Sequence, residues 1–215
     1  MHLTFVTFNF RSADLAAEEC NYLGHHVELA RRFPGLRQYY TGHLIKVAGK
    51  EPERVRGAIL AYDDSAAAAS AMRSDVVPAL LADTQSHLKD VTSTAVEAET
   101  VVPFGSRRAG QQCFVMVAEF DLVQGVGLDA AEKHYLGTHV SIARRLPGLR
   151  NYIVGKLIKT PGIEDSRYRM ATLVFDSLDA YRAAYRSPVG RELLKDEEAT
   201  IRNARVFRLD ARVEV

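Results

Sequence analysis

Two histidines stand in matching settings 113 residues apart. His26 follows Tyr22 by four residues, and His139 follows Tyr135 by four. On a helix that spacing puts phenol and imidazole on one face as stacked neighbours. An imidazole titrates close to neutrality, so a His held there can take or give a proton, with the Tyr orienting it or sharing the relay. The competing reading is a buried His that ties helix to sheet through one hydrogen bond. Further along, Tyr39, Tyr152 and His43 fall on the segment after the helix and are candidates to touch a substrate, as are Tyr22 and Tyr135. For the tyrosines, sheet packing is the alternative. His43 becomes Lys156 in the matching position, so any pocket it joins would differ between the two settings.

The settings match because the chain is written twice. Glu19 to Lys46 (ECNYLGHHVELARRFPGLRQYYTGHLIK) aligns without a gap to Glu132 to Lys159 (EKHYLGTHVSIARRLPGLRNYIVGKLIK), and 18 of the 28 positions are identical. A fixed register over such a length marks a tandem duplication. Each copy then has about 100 residues, enough for a core of its own.

The elements that would position these residues can be placed from pattern. Residues 2–10 alternate as a half-buried strand. Ser12 or Asp14 can cap the following helix, whose apolar stripe holds Leu15, Tyr22, Leu23, His26, Val27 and Ala30 and which ends at Phe33 before Pro34–Gly35. His25 lies about 100° away from His26 and is expected in solvent. Arg31–Arg32 and Arg144–Arg145 suit the negative end of a helix dipole, and Arg37 and Arg150 suit exposed salt bridges. Strands are expected over 36–47, 55–62 and 91–102, with an Ala-rich helix from Ser65 to Met72 that continues past Ser74 into a second helical piece ending near Leu88. The second copy repeats the order over 113–215, its first loop longer by about three residues through Gly125 and Gly127. Each copy reads βαββαβ, a four-stranded antiparallel sheet with both helices on one face. Segment 36–47 is apolar in both phases, which calls for packing on both faces. Two bare sheet faces, one per copy, can meet that demand within one chain.

Bulk properties narrow the function. The net charge is +1, from 28 basic and 27 acidic residues, so nothing draws the protein to nucleic acid or an anionic membrane. No apolar run reaches the ~20 residues of a bilayer span. Two cysteines, Cys20 and Cys113, make no disulfide framework, and a cytoplasmic setting is the expectation. There is no GxGxxG, Walker loop, HExxH, GxSxG or DxDxDG motif, and no metal triad in sequence, so no cofactor is expected.

At YLGHHVELARRFPGLRQY and YLGTHVSIARRLPGLRNY, and again at SPVGRELLKDEEATI, the chain resembles the EthD family. The resemblance is stronger in the second copy: Phe33 departs from the Leu before Pro34, and Ser74–Asp75 lacks the Ser-Pro helix start. It implies a tandem dimeric α/β barrel, α+β in class: two ferredoxin-like βαββαβ repeats packed sheet to sheet as an intramolecular barrel. Repeat 1 spans 1–102, a linker 103–112, and repeat 2 spans 113–215. Relatives on that scaffold include cofactor-free monooxygenases, lactone isomerases and haem-binding proteins. The resemblance therefore implies a pocket between first helix and sheet, with His26 and His139 as acid/base groups toward a small aromatic, quinone or lactone, in a cofactor-free oxidoreductase or an isomerase. A non-catalytic carrier of a hydrophobic metabolite, and a haem-binding protein, are the alternatives. The expected partner is a small hydrophobic molecule, with room for a homodimer of the tandem unit.

Overall fold

In the computed structural model, which describes residues 1–103, 105, 108–123, 125, 127–159 and 167–215, both repeats lay down the same order of elements. The first runs β1 (His2–Phe10), α1 (Leu15–Asn21), a π-helical turn (Tyr22–His26), α2 (Val27–Ala30), β2 (Leu36–Leu44), β3 (Arg56–Tyr62), α3 (Ser65–Ala71), α4 (Val77–His87) and β4 (Leu88–Val102). The second runs β5 (Gln112–Leu122), α5 (Leu128–His134), a π-helical turn (Tyr135–His139), α6 (Val140–Ala143), β6 (Asn151–Leu157), β7 (Arg169–Phe175), α7 (Leu178–Arg186), α8 (Pro188–Thr200) and β8 (Ile201–Val213). In the segment 103–112, residues 104, 106 and 107 lie outside the described residues.

The strands close into one antiparallel barrel in the order β1-β3-β2-β8-β5-β7-β6-β4. Each repeat contributes a four-stranded sheet, β4-β1-β3-β2 or β8-β5-β7-β6, and the sheets join along two seams. At one, Tyr40 to Leu44 pairs with Leu209 to Val213; at the other, Val96 to Val102 pairs with Tyr152 to Leu157. Closure leaves no bare strand edge, which a single repeat would have to protect by other means. It also demands close approach of backbones. A Cβ on Gly42 would fall on Asp210 O and 2.6 Å from Ala211 Cα, and one on Gly155 would meet Val96 and lie 2.5 Å from Glu97 O. These glycines occupy the same place in the two repeats, one at each seam.

Alternation along the strands sorts side chains into two environments. The barrel interior takes Leu3, Phe5, Tyr40, Ile59, Val96, Val115, Val117, Ile153, Val174 and Leu209, drawn from both repeats. The outer face packs under the helices as two further cores, one around Tyr22, Val27 and Tyr39 and one around Tyr135, Ile142 and Tyr152. Nearly every residue of Tyr39 to Gly42 and Asn151 to Gly155 is buried, as apolarity in both phases requires.

Four local expectations are corrected. Leu15 is 56% exposed, off the apolar stripe. The π-helical turn is the cause: Val27 N–H bonds to Tyr22 O across five residues, and that extra residue rotates the first turn away from the sheet. The helix also ends at Ala30 rather than Phe33. Strands β4 and β8 begin at Leu88 and Ile201, directly after their helices, because their starts pair with β1 and β5 before they reach the seam. The first loop of repeat 2 (123–127 against 11–14) is longer by one residue, not three.

Candidate functional site

The two imidazoles sit at the ends of the π-helical turns. Each stacks on the Tyr four residues before it, with ring centroids 5.1 Å apart for Tyr22–His26 and 5.4 Å for Tyr135–His139, both inclined by 19°. Each is then met from the late helix by an aspartate that the spacing argument missed. His26 Nδ1 lies 2.7 Å from Asp83 Oδ2, and His139 Nδ1 lies 2.8 Å from Asp196 Oδ2. The signal was present: Leu80-Leu81-Ala82-Asp83 and Leu193-Leu194-Lys195-Asp196 keep the same 113-residue register. On α8, Leu193, Asp196, Glu197 and Thr200 recur at helical spacing on the inward side. Ser187 caps that helix by accepting from Gly190 N–H, and Pro188 starts it.

Asp196 accepts from three donors: His139 Nδ1, His134 Nε2 at 2.8 Å, and Thr200 Oγ1 at 3.2 Å. Burial alone would raise its carboxyl, but the bonds from His134 and His139 outweigh it and hold the group below the ordinary carboxylate range. An ionised carboxylate only accepts, so Nδ1 of His139 carries its proton and Nε2 carries the lone pair. His139 itself is held below its ordinary value by burial, against the pull of Asp196. It is neutral at pH 7. The same balance of burial against Asp83 lowers His26.

His139 is only 6% exposed, yet it lines a cavity of about 460 Å³ between the outer face of the second sheet and its helices. Its Nε2 makes no hydrogen bond among the described residues. Met116, Ala118, Phe120, Tyr152, Ala171 and Leu173 form the sheet wall; Tyr181, Tyr185, Leu193 and Glu197 form the helix wall, with Arg208 on β8. The volume falls within the ~300–1,000 Å³ of small-molecule sites, and a mainly apolar wall with few polar groups is their usual character. Burial raises the Tyr135 and Tyr152 phenols, so both stay protonated and can donate but not serve as the base.

The remaining candidates fall outside this cavity. Tyr22 Oη lies 2.8 Å from Thr41 Oγ1 and 3.5 Å from Tyr39 Oη, all buried in repeat 1. His43 has its side chain 56% exposed, 3.3 Å from Glu19 Oε1 and 3.2 Å from Arg56 Nη1. It belongs to an ion cluster that sequence reasoning overlooked. Arg56 pairs with Glu19 and lies 4.7 Å over the Tyr22 ring; Arg169 pairs with Glu132 and lies 4.8 Å over Tyr135. Lys156 takes the place of His43, 3.3 Å from Glu132. His25 is exposed, and Arg37 and Arg150 pair with Asp63 and Asp176 at the surface. Among the described residues no group of three or more His, Cys, Asp or Glu side chains is arranged to hold a metal ion, and no helix is long and apolar enough to cross a membrane.

Comparison with known proteins places this frame. Residues 124–201 match the EthD domain, the segment that holds His139, Asp196 and most of the cavity. Over nearly its whole length the chain superposes on three solved structures. A "putative monooxygenase" from Fusobacterium nucleatum matches with a TM-score of 0.74 at 10% identity, covering 99% of this chain and 93% of that one. A "putative monooxygenase" from Lactobacillus acidophilus matches with 0.66 at 13% identity, covering 100% and 95%. An "anthrone oxidase-like protein" matches with 0.59 at 13% identity, covering 99% and 93%. No curated protein sequence matches the chain. At such identities the likeness is one of fold. The chain folds as a tandem dimeric α/β barrel, and residues 124–201 of its second half match the EthD domain.

Proposed function

We propose that the second repeat is an acid/base site in which His139 removes a proton from a small planar aromatic substrate, as the first step of its oxidation by dioxygen. One observation carries this: a neutral imidazole, fixed by an ionised Asp196 and making no hydrogen bond through Nε2 among the described residues, lines an aromatic cavity. A base of lowered pKa in an enclosed site is suited to proton abstraction at neutral pH. The names of the structural relatives, monooxygenase and anthrone oxidase-like, favour oxidation as the outcome. The chemistry balances without a further reductant. Nε2 takes one proton from an activated ring CH₂, and the resulting enolate gives its electrons to O₂, forming a carbon–oxygen bond. The peroxide so formed accepts the proton back from His139. Loss of the second C–H proton with cleavage of the O–O bond then yields a ring C=O and one water, so CH₂ plus O₂ gives C=O plus H₂O.

The test is oxygen uptake with anthrone, an aromatic ketone with such a CH₂. The wild-type protein should consume one O₂ per quinone formed, and His139→Ala should lose about a hundredfold or more of the rate. Uptake by H139A at the wild-type rate would remove His139 from the chemistry.

A further inference from the structure

Arg208 lines the cavity, as do Arg182 and Arg186, and the position that matches Arg208 in the first repeat carries no cation. Arg208 sits on β8 among outward-facing positions, between the interior-facing Phe207 and Leu209. Its Nη2 reaches Tyr181 Oη at 3.3 Å, and its guanidinium lies 5.3 Å over the Tyr181 ring. Its Nε is buried with no acceptor among the described residues. Arg208 pairs with no carboxylate among the described residues, so its guanidinium at the cavity is a charge suited to an anionic oxygen on a ligand. The acid on the same lining, Glu197, is held above the usual carboxylate range by burial and by Glu198, which weakens its opposition to an anion. In repeat 1 the positions of Arg208, Tyr181 and Tyr185 are Ala95, Ala68 and Met72, so this polar anchor and its aromatic flank belong to the second repeat alone.

Resting on the function proposed above, we infer that Arg208 is an oxyanion anchor and that the substrate class is a planar aromatic with an acidic or enolisable oxygen. The ring lies against Tyr181 and Tyr185, and the oxygen, as phenolate, enolate or carboxylate, accepts from Arg208. In the oxidation above, Arg208 would hold the enolate oxygen that appears when Nε2 takes the proton, which makes the proton easier to remove.

Equilibrium binding tests this without turnover. 2-Naphthoate and naphthalene share a ring system and differ in the anionic oxygen pair, and each can be titrated by ligand fluorescence and by thermal shift. Wild-type protein should bind 2-naphthoate about tenfold or more tightly than naphthalene. Arg208→Gln should erase that preference while still binding naphthalene, Arg208→Lys should restore part of it, and the surface variant Arg145→Gln should leave it intact. Equal binding of the two probes by wild type, no binding of either, or an undiminished preference in R208Q would each overturn the inference. The wild-type comparison stands even where R208Q fails to fold. The same preference retained in H139A, with oxygen uptake lost, separates the anchor from the base, so either claim can fail alone.

Discussion

His139 and Asp196 stand 2.8 Å apart between the first and last helices of repeat 2, and 113 residues earlier His26 and Asp83 stand 2.7 Å apart in the same relation. The link joins a π-helical turn to a helix 57 residues further on. It fixes the tautomer of each imidazole as well as the position of each late helix. In repeat 2 the imidazole also lines a cavity, so under the function proposed above the same bond would serve chemistry as well as packing.

That carboxylate should matter for rate more than for binding. Asp196→Asn keeps the shape but can turn an N–H toward Nδ1 and no longer stabilises an imidazolium. Anthrone oxidation should fall by about a hundredfold, with 2-naphthoate affinity changed by less than threefold or so. Stopped-flow oxygen uptake and fluorescence titration separate the two. An equal loss in both would mark Asp196 as a binding residue.

The two dyads predict a dependence of stability on acid. Burial holds His26 and His139 below their ordinary value of 6.5, outweighing the aspartates. As pH falls through about 6.5 the unfolded chain takes up protons that the folded chain does not, so stability is full above that pH and declines below it. The decline levels off once pH passes below the lower folded value. Urea midpoints from pH 5 to 8 should show this slope, and His26→Gln with His139→Gln should flatten it. An unchanged slope in the double variant would contradict the assignment.

Arg169 is buried, paired with Glu132 and laid over the Tyr135 ring. Glu132→Gln would leave that guanidinium without its counter-charge, and loss of one partner of a buried pair costs about 3–5 kcal/mol. The expectation is a large drop in the urea midpoint. A loss under about 1 kcal/mol would mean that solvent already screens the pair.

Two glycines separate seam from helix. A methyl group at Gly155 has no room beside Val96 and Glu97, so Gly155→Ala should cost about 1–3 kcal/mol. A methyl at Gly137, within the π-helical turn, meets nothing within 4 Å. Gly137→Ala should be neutral or stabilise by up to about 1 kcal/mol. Thermal midpoints of the two variants in the reverse order would contradict the seam account.

The frame was legible because it is periodic and because it is written twice. Apolar residues in both phases of 36–47 announced a strand buried on both faces, and the barrel supplies both neighbours. The stacking of Tyr22 on His26 and Tyr135 on His139 followed from a spacing of four, which the π-helical turn preserves. That turn was not legible, because one inserted residue shifts the stripe without erasing it, as the exposed Leu15 shows. Asp83 and Asp196 lie 57 residues from their imidazoles, where helical periodicity carries no information. Only the shared register of the two copies pointed to them. Arg208 was beyond reach for a related reason: its match is Ala95, and comparison of repeats brings out what they share rather than what one of them has added.

The most direct measurement is the pH profile of kcat/KM for anthrone oxidation by wild-type protein beside H139A at matched substrate binding. The account predicts a wild-type profile whose acid limb falls below pH 6.5, reporting the lowered imidazole, and an H139A rate down about a hundredfold with that limb gone. A variant that turns over anthrone with the wild-type rate and the same acid limb would contradict the claim that His139 is the base.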